Sequence, residues 1–324
     1  MNWNIEELKE LLSKVKNMSR TIETIFDMNV LNYMIYYLDS SWKFEGVEIG
    51  NSRYDECVLE FVSSNYDSIK KALLNFCDDK VKTKGLFFNT GMKSEKVDKT
   101  TSEFFKYYDE NLFNQYLDLK DGSRICLMSK KYPDSQAKGK TFHLCTTGNC
   151  YVGVRFDKRI FSSSILVHEL GHVHQLEGIS DLYLRNRRTT SIWSEAFPIF
   201  LENFYATYLK NNGKKEMGER LEYENIDHFL ALVDCMYTRY FSGDLEQFKH
   251  EFKDRYPVIR LCSYFLAFHF ANELLENPSY SKNLVDNFNF VIGRIDDNKI
   301  LKAYGKEEVF SSPRKIIDRY RKSI

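Results

Sequence analysis

ILVHELGHVHQLEG spans residues 165–178, and SIWSEAFPIFLENF spans residues 191–204. The reading of these two segments decides the fold. In the first, His168, Glu169 and His172 spell H-E-x-x-H. On a helix of 3.6 residues per turn, positions four apart differ by about 40° around the axis, so both imidazoles leave one face. That spacing suits two corners of a tetrahedral zinc site. Glu169 adjoins the first imidazole, where its carboxylate reaches a metal-bound water without displacing it. The pattern reads as a metallopeptidase signature: two neutral imidazoles hold the ion and the glutamate is the general base. An ordinary amphipathic helix accounts for it less well. The apolar run Ile165–Val167 implies a buried helix, and two imidazoles with a carboxylate are costly to bury without a purpose.

The second segment brings Glu195, 23 residues after His172, and Glu202 seven further on. Seven residues are about two turns, so these carboxylates share one helical face. Glu195 is the candidate third ligand. Thr189, Thr190 or Ser191 is the expected N-cap of this helix, and Ser162–Ser164 are the expected caps of the preceding one. Pro198 predicts a kink or a late start, and Asn212-Gly213 predicts the end.

The rest of the chain offers no rival site. Its 324 residues suffice for a substantial core. Lys plus Arg number 46 and Asp plus Glu 46, which leaves no bulk field to draw nucleic acid or an anionic membrane. No apolar run approaches a membrane span, and the first twenty residues lack the apolar core of a signal peptide. A cytoplasmic protein is expected. The seven cysteines are scattered, with no C-x-x-C pair, so reduced thiols are expected and a cysteine-based zinc site is not.

With only 5 Pro and 15 Gly, and many Leu, Lys, Glu, Tyr and Phe, the chain favours helix. Apolar residues recur at helical spacing over Ile5–Val15, Ile22–Leu38, Ile69–Phe76 and Glu103–Leu119. Residues 123–129 read as a strand and 131–140 as a polar loop. Residues 141–156 read as two short strands about Thr146-Thr147-Gly148-Asn149. Cys150–Arg155 is the segment expected to accept a substrate backbone by strand addition. Residues 224–241 and 245–277 read as further helices, the latter broken near Pro257. The expected class is mainly α: a zincin-type catalytic domain with a small β-sheet next to the HExxH helix. It forms one unit over 1–324, with a helical N-terminal part at 1–110 and the zinc catalytic part at 111–324.

These segments resemble the thimet oligopeptidase and oligoendopeptidase F family of zinc metallopeptidases, of which the chain looks like a short, divergent member. HELGHVHQL followed by SEAFPIFLE is similar to the family's HExGHxxH and its downstream E-x-P-S-x-x-x-E. NLFNQYLDL and KGKTFHLCTTGNCYVGVRF resemble the stretch that leads into the zinc helix, and the likeness covers roughly residues 105–275. The resemblance implies a mostly helical fold with a deep channel, one zinc ion, and cleavage of short unstructured peptides. It implies zinc ligation by His168, His172 and Glu195, with Glu169 as general base and Glu202 orienting a ligating histidine. It further implies that His250, Tyr256 and Tyr264 supply hydrogen bonds to the oxyanion. The chain departs from the pattern at Gln175, where the family has a third histidine, and at Phe197-Pro198-Ile199. His174 stands out of register, and the chain is shorter than typical members. These departures also support a second reading, a catalytically weak zinc-containing peptide-binding protein of the same fold. A structural zinc site fits less well, because such sites close all four positions.

Overall fold

A computed structural model describes residues 3–43, 62–78, 93–128, 138–156, 161–177, 191–253 and, in a last helical stretch, 264–265, 267–268, 271–272 and 274–275. In chain order the helices are α1 (Ile5–Lys16), α2 (Ile22–Leu38), α3 (Tyr66–Asp78), α4 (Ser94–Tyr108) and α5 (Glu110–Asp121). Three strands follow: β1 (Ile125–Met128), β2 (Gly139–His143) and β3 (Cys150–Arg155). Then come α6 (Phe161–Glu177), α7 (Ser191–Asn211), α8 (Lys215–Met236), a π-helical turn (Tyr237–Phe241) and α9 (Leu245–Lys253). Among the described residues the protein is mainly helical with one small sheet. It falls into two compact units, one of residues 1–51 and 88–187, the other of 52–87 and 188–324.

Local chemistry explains the helix boundaries. Asn4 caps α1 by accepting the Glu6 N–H at 3.1 Å, and Leu8, Leu12 and Val15 form its buried stripe. Thr21 and Thr24 make a reciprocal capping box at the start of α2, with bonds of 2.8 and 3.3 Å. The single helix expected over 103–119 is two. Asp109 is extended (φ −158°, ψ 130°), and its carboxylate accepts the Leu112 N–H at 3.0 Å, so it ends α4 and caps α5. Periodicity runs through this break because both helices keep one apolar flank. The local bond of an aspartate to the backbone competes with continued helix.

The sheet has the order β1-β3-β2, with β1 parallel and β2 antiparallel to β3. This corrects the expectation for Cys150–Arg155. That segment is the central strand, bonded on both sides, so its backbone has no edge to offer a peptide. The edge beside the HExxH helix belongs to β2. Arg155 N–H bonds to Lys138 C=O at 2.8 Å and Leu144 N–H to Asn149 C=O at 2.9 Å. The alternation of an antiparallel ladder then turns the backbone groups of Gly139, Thr141 and His143 away from β3. Gly139 and Lys140 thus lie in a strand, not in the expected polar loop.

The two faces of the sheet carry different loads. Phe142, Leu144 and Cys126 join Trp3, Leu8, Leu12, Leu31, Met34 and Tyr37 in one buried cluster with α1 and α2. Phe142 is its hub, with ring centroids 5.5 Å from Trp3 and 5.9 Å from Tyr37. The opposite face receives α6, which α4 and α5 back in turn. Ser162, Ser163 and Ser164 lie inside α6 and are buried, so they are not its caps. Their small side chains allow close packing in the first turns. The expected caps of α7 at Thr189 and Thr190 lie outside the described residues.

In the second unit α7 runs through Pro198 and ends at Gly213, whose φ of +74° is the left-handed conformation glycine adopts freely. The Lys214 N–H returns to the Leu209 carbonyl at 3.0 Å. Gly218 lets α8 approach α7: a Cβ there would stand 2.5 Å from the Ala206 carbonyl oxygen. A buried Asn225 amide donates to Asn203 Oδ1 at 3.2 Å across the same contact.

One buried carboxylate locks the β2–β3 turn onto α2. Asp27, fully buried, accepts the N–H of Cys145 at 2.6 Å, the N–H of Thr146 at 2.8 Å and the Thr146 hydroxyl at 2.6 Å. Asp27→Ala strands these donors and is expected to cost about 3 kcal/mol in urea denaturation. Burial, and next the Asp27 carboxylate, push the Cys145 thiol well above the ordinary thiol range. The unfolded chain releases that proton above about pH 8.5 while the folded chain keeps it. The unfolded state then binds fewer protons, and stability falls as pH rises. Burial raises the Cys126 thiol in the same direction. Cys145→Ala is expected to reduce the loss of urea midpoint between about pH 7.5 and 10, measured against the parent chain.

Candidate metal centre

α6 carries the H-E-x-x-H residues, and its composition dictates where it sits. Ile165, Leu166, Val167, Leu170 and Val173 are all buried, and so are the polar Ser162–Ser164, Glu169 and Gln175, so the helix is enclosed nearly all round. His168 and His172 are half-buried and stand one turn apart. Their rings meet edge to face, with centroids 4.9 Å apart and planes at 77°. The two Nε2 atoms are 3.2 Å apart. Two imidazole nitrogens that close need either a shared proton or a cation between them, because their lone pairs repel. In a tetrahedral zinc site with bonds of 2.0–2.1 Å, two ligand nitrogens lie about 3.3 Å apart, so the observed pair fits.

His168 and His172 belong to the first unit, and Glu195, the candidate third ligand, lies on α7 in the second. Glu195 is half-buried there. Two imidazole nitrogens and one carboxylate oxygen make a donor set that zinc takes in hydrolytic sites. Glu202 lies two turns past Glu195 on α7 and is half-buried. Of the later residues, His250 is exposed on α9, Tyr264 is half-buried, and Tyr256 lies outside the described residues. His174 faces elsewhere: its Nδ1 is 2.6 Å from Gln115 Oε1 on α5, which accounts for its being out of register with the ligands.

Glu169 lies about 100° round the helix from His168, on the side that meets the sheet. It is 6% exposed. The Thr141 hydroxyl on β2 is 2.7 Å from its Oε2 and 2.9 Å from its backbone carbonyl oxygen, so one proton serves both acceptors. Two residues earlier on the same strand, Gly139 leaves room for this carboxylate. A Cβ at Gly139 would stand 2.4 Å from Ile165 Cγ2 and 2.6 Å from Glu169 Oε1. Neither Gly139 nor Thr141 is marked by the motif. The available signal is alternation: on a strand, positions 139 and 141 share a face, and a glycine followed by a hydroxyl there suits a buried polar neighbour.

No family model matches the sequence, and no curated protein matches it. Solved structures do. A crystal structure from Bacillus anthracis assigned to oligoendopeptidase F superposes with a TM-score of 0.53 at 12% identity, over 99% of this chain and 65% of that one. PZ peptidase A with an inhibitor gives 0.52 at 11% identity, over 99% and 67%. The chain therefore has the fold of these peptidases, and spans about two thirds of their length. Gly139→Ala overpacks the contact between strand and helix and is expected to cost about 1–3 kcal/mol, read as a lower urea midpoint.

Proposed function

We propose that this chain is a zinc-dependent endopeptidase that hydrolyses short, unstructured peptides in the cytoplasm. The pair of imidazoles on α6, His168 and His172 with Nε2 atoms 3.2 Å apart, carries this reading. The fold shared with oligopeptidases supports it.

His168, His172 and Glu195 would hold the ion. When bound, zinc lowers the pKa of a water toward neutrality and polarises a carbonyl. The protein's own residues do the rest. Glu169 accepts the proton of the attacking water and passes it to the leaving amine. Its buried setting excludes competing solvent, while the neighbouring Thr141 keeps the carboxylate hydrogen-bonded. Glu202 orients a ligating histidine. One of His250, Tyr256 and Tyr264 donates to the oxyanion, a task a phenol suits because it strengthens its bond as charge develops. The peptide backbone lies along the outer edge of β2, where Gly139, Thr141 and His143 present their N–H and C=O groups.

Mixed-peptide digestion read by mass spectrometry tests this, with metal content measured alongside. The parent chain is expected to bind one zinc and to produce new termini that vanish with a chelator and return with zinc. Glu169→Gln is expected to keep its zinc and lose about 10²- to 10⁴-fold in kcat. His172→Ala is expected to lose the zinc itself. A parent chain that binds peptides without cutting them would instead make it a peptide-binding protein.

A further inference from the structure

The H-E-x-x-H motif identifies a base but not what aims it. A glutamate has three rotatable side-chain bonds, and a free carboxylate spreads over several rotamers. A general base must lie within hydrogen-bond reach of the proton it takes. We infer that Thr141 is the positioning residue for Glu169, an inference that rests on the peptidase reading above. Its hydroxyl engages Oε2 at 2.7 Å. The other oxygen, Oε1, sits against the bare α-carbon of Gly139, where a methyl group would come within 2.6 Å. The carboxylate is thus held on one oxygen by a bond and on the other by a close wall. The second contact of the hydroxyl, 2.9 Å to the Glu169 carbonyl oxygen, ties β2 to the helix at this very residue.

Thr141 also joins base and substrate. Its side chain faces the helix, while its N–H and C=O lie on the outer edge of β2. A peptide bonded along that edge is held by the same residue that aims the carboxylate, so the distance between scissile bond and base is set through one strand position. Catalysis is steep in such distances: a misplacement of about 1 Å costs on the order of 100-fold.

The test uses the full chain. In its zinc-loaded form, Thr141→Val, which keeps the shape and removes the hydroxyl, is expected to lower kcat about 10- to 100-fold with KM and zinc content unchanged. Thr141→Ser is expected to restore the rate. In the zinc-free chain, Thr141→Val and Glu169→Ala are expected to couple: the thermal midpoint of the double variant falls by less than the sum of the single falls. Wild-type kcat in Thr141→Val, equal impairment in Thr141→Val and Thr141→Ser, or additive midpoints would each overturn the assignment. An inactive parent chain, or a fully active Glu169→Gln, overturns the peptidase reading and this one with it. An inactive Glu169→Gln beside a fully active Thr141→Val overturns this one alone.

Discussion

The polar groups carried on a largely buried helix, Glu169 and the imidazoles of His168 and His172 above all, are the constraint on which the first unit depends. Each polar group on α6 taken out of water needs a partner, or it destabilises the fold by several kcal/mol. The surroundings supply them. β2 brings the Thr141 hydroxyl to Glu169, and α5 brings the Gln115 amide to His174. The two Nε2 atoms of His168 and His172 face each other at 3.2 Å, and that pairing is satisfied by a cation or by a shared proton. The helix is thus tolerable where it is because neighbours on both sides are specific.

That dependence explains the effort spent on a three-stranded sheet. Strand register matters here in a discrete way: a slip of one residue turns every side chain to the opposite face. It would carry Thr141 away from Glu169 and put Phe142 in its place. Three features resist such a slip. Phe142 is anchored among Trp3, Tyr33 and Tyr37 on the far face. The turn between β2 and β3 is clamped by Asp27 from α2. Trp3 also donates its indole N–H to the Arg124 carbonyl beside β1. The N-terminal helices therefore act on the candidate site through the sheet, although none of their residues belongs to it.

The likeness to oligopeptidase structures at 11–12% identity shows how little of a sequence this fold requires. Apolar positions exchange freely so long as volume and periodicity are kept.

The sequence by itself determined the helical class, the HExxH helix, the C-terminal end of α7, and the strands around residues 125–155. Each is a local matter of periodicity, capping or turn chemistry, decided within a few residues. It also marked His168, His172 and Glu195, because four-residue spacing on a helix and a carboxylate on the next helix are visible without tertiary structure. The break at Asp109 was legible in principle, since aspartate is a strong N-cap, but the continuous apolar flank hid it. Only the tertiary structure decided that Cys150–Arg155 is central and β2 the edge, because strand order depends on pairings between distant segments that no single strand's pattern encodes. It alone revealed Gly139 and Thr141 around Glu169. Their importance lies in what they face across a packed interface, 28 residues away in the chain for Thr141, and a strand's own alternation states only which side of the sheet they are on.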